Sequence, residues 1–185
     1  MRGGRRILRA VVLSCCAAAG LAGCASGAPG SQSTVLPDRT VSAPASAAAT
    51  GDPLMLARQA YLGMWQAFTA ASRTADYQSP SLDHYAAGSA LELLIHGLYQ
   101  YHREGIVTRG TPSHDPAVTM SKTSLGTPEA KVTDCSDTSG SGTYYKSGKP
   151  AAGGPPGRQA IHAQVQPFDG TWKVTSLVGE KAGSC

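Results

Sequence analysis

The chain is poor in several things, and each shortage removes a class of function. Only 15% of its 185 residues are charged and 6% aromatic, with two phenylalanines. No Asp, Glu or His occurs before Asp38, so the three cysteines at 15, 16 and 24 have no nearby co-ligand for a metal. No Cys-x-x-Cys exists, and no two histidines stand four apart around an acid, so neither zinc pattern is present. A Gly-x-Ser-x-Gly elbow is missing, which argues against a serine hydrolase. The glycine-rich runs at 138–142 and 153–157 read as turn and loop, and not as a phosphate cradle at a helix start. No apolar run reaches the roughly 20 residues that a membrane-spanning helix needs. The longest, AVVLSCCAAAGLAG at 10–23, is bounded by a basic start.

That start is informative. MRGGRRILR carries four arginines and no acid, and a short apolar stretch with small residues follows. This is the pattern of an export signal. It ends in Leu21, Ala22, Gly23 and Cys24, which resembles the bacterial lipobox. The resemblance implies lipidation of the Cys24 sulfur and cleavage just before it, giving a signal peptide at 1–23. The alternative is an ordinary signal cut near Ala25 or Ala28. Arg5 and Arg6 leave a twin-arginine export route open beside the general one.

Charge reads differently once the signal is set apart. Four of the 16 Lys and Arg residues lie in the first nine positions and none of the 12 acids does. From Cys24 onward, 12 bases therefore balance 12 acids, which removes the composition argument for a nucleic-acid or polybasic membrane partner. Two cysteines remain, Cys135 and Cys185. In an oxidising extracytoplasmic compartment they are expected to pair with each other.

Residues 24–52 hold Ala, Ser, Thr, Pro and Gly with almost no large apolar side chain. Such a segment does not offset its ordering entropy, so it reads as a disordered tether behind the lipidated cysteine. Residues 53–185 suffice for one domain with its own core. Asp52 and Pro53 form a helix start. Leu54, Ala57, Tyr61, Met64, Phe68 and Ala71 then recur at helical spacing to about residue 73, with Trp65 beside the stripe and Gln59, Gly63 and Gln66 opposite. A short helix is expected from Ser79 to Tyr85. A third runs from Ser89, in a capping box with Glu92, to a stop at Gly105. Strands are expected near 106–110, 116–124, 129–137, 142–147, 158–168 and 171–179, the last two joined by Asp169-Gly170. Helices followed by antiparallel strands predict an α+β domain, its helices packed on a curved sheet.

That order resembles the α+β cone of the nuclear transport factor and SnoaL-like superfamily, also described as cystatin-like. From Ala60 to Cys185 the chain is similar to small secreted lipoproteins of high-GC Gram-positive bacteria. The shared features are Tyr61 and Trp65, GIVTRGTP at 105–112, VTDCSD at 132–137 and TWKV at 171–174. The resemblance implies a pocket between helices and sheet. It holds a general base in some relatives and serves ligand or partner binding in others.

Catalytic candidates are Asp83, His102 and Tyr61, an acid or imidazole as base and a phenol as donor. Tyr61, Trp65, Phe68 and His162 are candidates to line the pocket. His84, His96 and His114 read as solvent-exposed. No cofactor or metal is expected. The reading that follows is a lipid-anchored, non-catalytic module on the extracytoplasmic face of the cell membrane, binding a small ligand or an envelope protein. A second copy of the chain could dock on the open sheet face. The alternative is an isomerase, dehydratase or cyclase of the cone fold working through Asp83 or His102.

Overall fold

A computed structural model describes residues 51–154 and 156–185. The export signal, Cys24 and the tether to residue 50 lie outside the described residues. Helix α1 spans Pro53–Ser72, with the Asp52 carboxylate accepting from the Leu54 N–H at 3.1 Å. Its inward face is Ala57, Ala60, Tyr61, Met64, Ala67 and Ala71. The four alanines let the helix axis lie close to the strands beneath it. Tyr61 and Met64 are fully buried there, where truncating a residue of that size costs about 2–5 kcal/mol.

Two details of the expected stripe change. Leu54 is 39% exposed and does not join the buried face, which begins at Ala57. Gly63 is buried, not solvent-facing, because α2 (Ser81–Tyr85) lays its Tyr85 ring across it. A Cβ at Gly63 would stand 2.5 Å from the Tyr85 ring.

Helix α3 spans Gly88–Glu104 and buries Ala90, Leu94 and Leu98. The expected capping box does not form. Ala87 is the N-cap, and the Ser89 hydroxyl instead donates to the Thr175 carbonyl at 3.1 Å. The chain is anchored there by the Ala87 N–H bonding to the Val174 carbonyl, so the sheet takes the role of the side-chain cap. Gly105 ends the helix in the left-handed conformation, φ 66°.

The strands are β1 (Ile106–Gly110), β2 (Ala117–Lys122), β3 (Pro128–Asp137), β4 (Ser141–Tyr145), β5 (Arg158–Phe168) and β6 (Thr171–Gly179). They form two antiparallel sheets. One is β2-β3-β5-β6 and the other pairs β1 with β4. Asp169 (φ 48°) and Gly170 (φ 79°) make the tight β5–β6 turn that the dipeptide predicts. The inner face of the larger sheet presents Ala130, Val132, Asp134 and Ser136 from β3, with Ile161, Ala163 and Val165 from β5 and Val174 from β6. Helices on open antiparallel sheets confirm the α+β class.

Cys135 and Cys185 are bonded, with Cα atoms 6.0 Å apart and a sequence separation of 50. The tail Glu180–Cys185 runs back beside β5, where the Ala160 N–H bonds to the Ser184 hydroxyl. Such a bond fits an extracytoplasmic setting. Among the described residues no helix is long and apolar enough to cross a membrane.

Candidate functional site

Period two on β3 puts every second residue inward, and the third inward residue after Ala130 and Val132 is an acid. The Asp134 side chain is fully buried. An unpaired carboxylate in such a place would cost several kcal/mol, and three donors meet it. Tyr61 gives its hydroxyl to Oδ2 at 2.8 Å, His114 its Nδ1 at 2.7 Å, and the Asp115 N–H reaches Oδ1 at 2.8 Å. Both carboxylate oxygens thus accept a hydrogen bond and neither is left unpaired. Burial pushes the Tyr61 phenol far above its ordinary range, and the adjacent Asp134 charge adds to the shift. Tyr61 therefore acts as a donor and not as a base.

An imidazole that gives its one ring hydrogen to Asp134 through Nδ1 keeps an acceptor lone pair on Nε2. That atom is buried and has no hydrogen-bond partner. The His114 side chain is about nine-tenths buried. Its ring stacks on Trp65 (centroids 4.8 Å, 14° between planes) and meets the Tyr61 ring edge-on at 6.2 Å. The Trp65 indole Nε1 is likewise buried and without a partner.

The cluster sits where two cavities meet. One, of about 320 Å³, lies between α1 and the 111–114 segment and includes Gln66, Arg73 and Thr111. The other, of about 670 Å³, lies between α1, the β1–β4 pair and the 150–156 loop, and includes Phe68, Ser72 and Tyr144. Trp65, Thr69, Pro112 and His114 border both. Cavities of this size suit small molecules.

The expectations for individual residues divide. Trp65 and Phe68 line a cavity, whereas Tyr61 is fully buried in the cluster and borders neither cavity, because its hydroxyl is turned to Asp134. Asp83 is exposed on α2. His102 is exposed on α3, its Nδ1 3.3 Å from the Ala75 carbonyl. Neither reaches the cluster, because both elements turn those positions away from the sheet. His162 is also misplaced as a pocket residue. It opposes Thr133 on the outer face of the sheet, half-exposed, with Nε2 2.9 Å from Glu180. His84 and His96 are exposed as expected.

His114 is the correction with the largest consequence, since a turn of sequence TPSHDP reads as solvent-facing. Ser113 exchanges two backbone bonds with Asp137, at 2.9 and 3.0 Å, and Arg58 on α1 donates to the Pro116 carbonyl. These contacts draw the turn down onto α1 and leave the imidazole no route but inward. Among the described residues, no three His, Cys, Asp or Glu side chains come together as a metal site.

No family model matches the chain, and no curated protein is recognisably similar to it. Solved structures are similar at a low level. The intermembrane space region of the chloroplast protein ARC6 is 12% identical, with 72% of this chain and 100% of that one covered, at TM-score 0.47. Aln2 from a Streptomyces species is 12% identical over 72% of this chain and 94% of its own, at 0.40. A protein from Catenulispora acidiphila is 12% identical over 68% and 88%, at 0.38. At these scores the likenesses bear on no functional question.

Proposed function

We propose that this chain is an exported lipoprotein, held to the membrane through Cys24, whose cavities at His114 bind a small ligand. One observation carries the binding reading. A buried imidazole, fixed by Asp134 and stacked on Trp65, stands unpartnered on the border of two cavities. A buried ring nitrogen at the border of two cavities is a group that a bound ligand can satisfy. The anchor reading is supported by the arginine-rich start and the Leu-Ala-Gly-Cys ending at Cys24. The extracytoplasmic setting it implies agrees with the disulfide.

Thr69 borders both cavities, so Thr69→Trp sets an indole across their junction without replacing a residue of the Asp134 cluster. The full chain is expected to brighten the neutral dye N-phenyl-1-naphthylamine, and the Thr69→Trp variant is expected not to. Equal brightening by both proteins sinks the binding reading. For the anchor, Cys24→Ala is expected to release the protein from the membrane, and continued retention refutes it.

A second reading is catalytic. It no longer rests on Asp83 or His102 but on the Asp134–His114 pair, in which the carboxylate orients the imidazole as a general base. Nitrogen NMR at about pH 9, where an ordinary imidazole is neutral, should find the hydrogen on Nδ1. A hydrogen on Nε2 removes this reading.

A further inference from the structure

Resting on the binding reading above, we infer that the site takes a small aromatic hydroxy acid. The case comes from the charges and hydrogen-bonding groups that the two cavities do and do not offer. Among the described residues, the larger cavity is bordered by no Asp, Glu, Lys or Arg at all. Its faces are Phe68, Tyr101, Tyr144 and the Ser72 and Thr108 hydroxyls, which bond to each other at 2.6 Å. This lining suits an uncharged, ring-sized group.

The smaller cavity is bordered by one cation, Arg73, and no acid. Arg73 makes no ion pair among the described residues, and its only side-chain hydrogen bond is a long one, 3.4 Å to Thr111. The other guanidinium of α1, Arg58, is by contrast engaged by Asp115 at 3.6 Å and by the Pro116 carbonyl. The buried acid nearby, Asp134, is already occupied by three donors and does not compete for Arg73. The end of α1 itself repels anions, so the attraction comes from the guanidinium, whose forked donors match a carboxylate.

Between these ends stands His114. With Nδ1 committed to Asp134, Nε2 accepts a hydrogen bond, and a hydroxyl on the ligand is the group that supplies one. Carboxylate at Arg73, hydroxyl at His114 and ring in the larger cavity together define the class.

The test is calorimetric titration of the full chain with three probes. They are 3-phenyllactate, its neutral methyl ester, and hydrocinnamate, which has the carboxylate without the hydroxyl. The acid should bind about fivefold tighter than its ester, a modest factor because Arg73 is exposed. Arg73→Gln should level the two without weakening the ester. Hydrocinnamate should bind less tightly than phenyllactate. Equal affinities for acid and ester, an Arg73→Gln variant that keeps the preference, hydrocinnamate binding as tightly as phenyllactate, or failure of all three probes while N-phenyl-1-naphthylamine still binds, each overturns the hydroxy-acid class and spares the binding reading. Loss of the naphthylamine as well overturns that reading and the class with it.

Discussion

Replacing Asp134 by alanine should be among the most destabilising single changes in this domain, and the structure says by how much. The carboxylate is fully buried and satisfies the Tyr61 hydroxyl at 2.8 Å, the His114 Nδ1–H at 2.7 Å and the Asp115 N–H at 2.8 Å. Removing it orphans three donors, two of them on buried rings. Each orphan costs about 1–3 kcal/mol. We expect about 4 kcal/mol for Asp134→Ala, against a total of about 5–15 kcal/mol for a typical domain. Tyr61→Phe removes one donor while the acceptor keeps two, and should cost only about 1 kcal/mol. The discriminating measurement is the double variant. With Asp134 already gone the phenol is itself an orphan, so adding Tyr61→Phe should be neutral or restore stability. Urea unfolding monitored by circular dichroism gives all three values. If Asp134→Ala lies within about 1 kcal/mol of the wild type, or if the two changes add as independent losses, the cluster does not exist as described.

Gly63→Ala would normally gain about 1 kcal/mol in a helix interior. With the Tyr85 ring 2.5 Å from the new Cβ, the variant should instead lose about 1–3 kcal/mol, and a raised Tm would refute the close approach. Cys185→Ser opens a loop of 50 residues and should cost about 2–4 kcal/mol, with new protease cleavage in the tail beyond Gly179. An unchanged Tm would show that the tail is held by other contacts. Tyr61 should give a one-sided pH effect. Its folded pKa lies above the unfolded 10.0, so its protonated form contributes full stability below pH 10 and that contribution is lost as the pH rises further. Tyr61→Phe should flatten this alkaline decline, and an equal decline in both proteins falsifies the assignment.

Much of the fold is legible in the sequence because it rests on local rules. The Asp52-Pro53 start, the Gly105 stop and the Asp169-Gly170 turn each depend on a few adjacent residues, and each forms as expected. Failures occur where a distant element decides. Ser89 and Glu92 have the spacing of a capping box, but β6 offers the Thr175 and Val174 carbonyls close by, and the sheet takes over the helix start. Gly63 looks like a solvent-side residue of α1 until α2 folds over it.

The site follows the same division, so its residues are unequally legible. Tyr61, Trp65 and Phe68 lie on one helical stripe and are visible as a group. Asp134 and His114 become meaningful only through each other. A turn histidine is exposed by default, and nothing within six residues of His114 says otherwise. The readable signal is in β3, where Ala130, Val132, Asp134 and Ser136 alternate with Lys131 and Thr133. An alternation that places an acid among core positions demands buried donors from elsewhere in the chain. Tyr61 can supply one from the helix stripe. A carboxylate takes more than one, so the sequence already requires a second polar group to be drawn inward. His114 and the Asp115 N–H are the groups that meet it, so the turn's burial and Asp134's position are two sides of one arrangement.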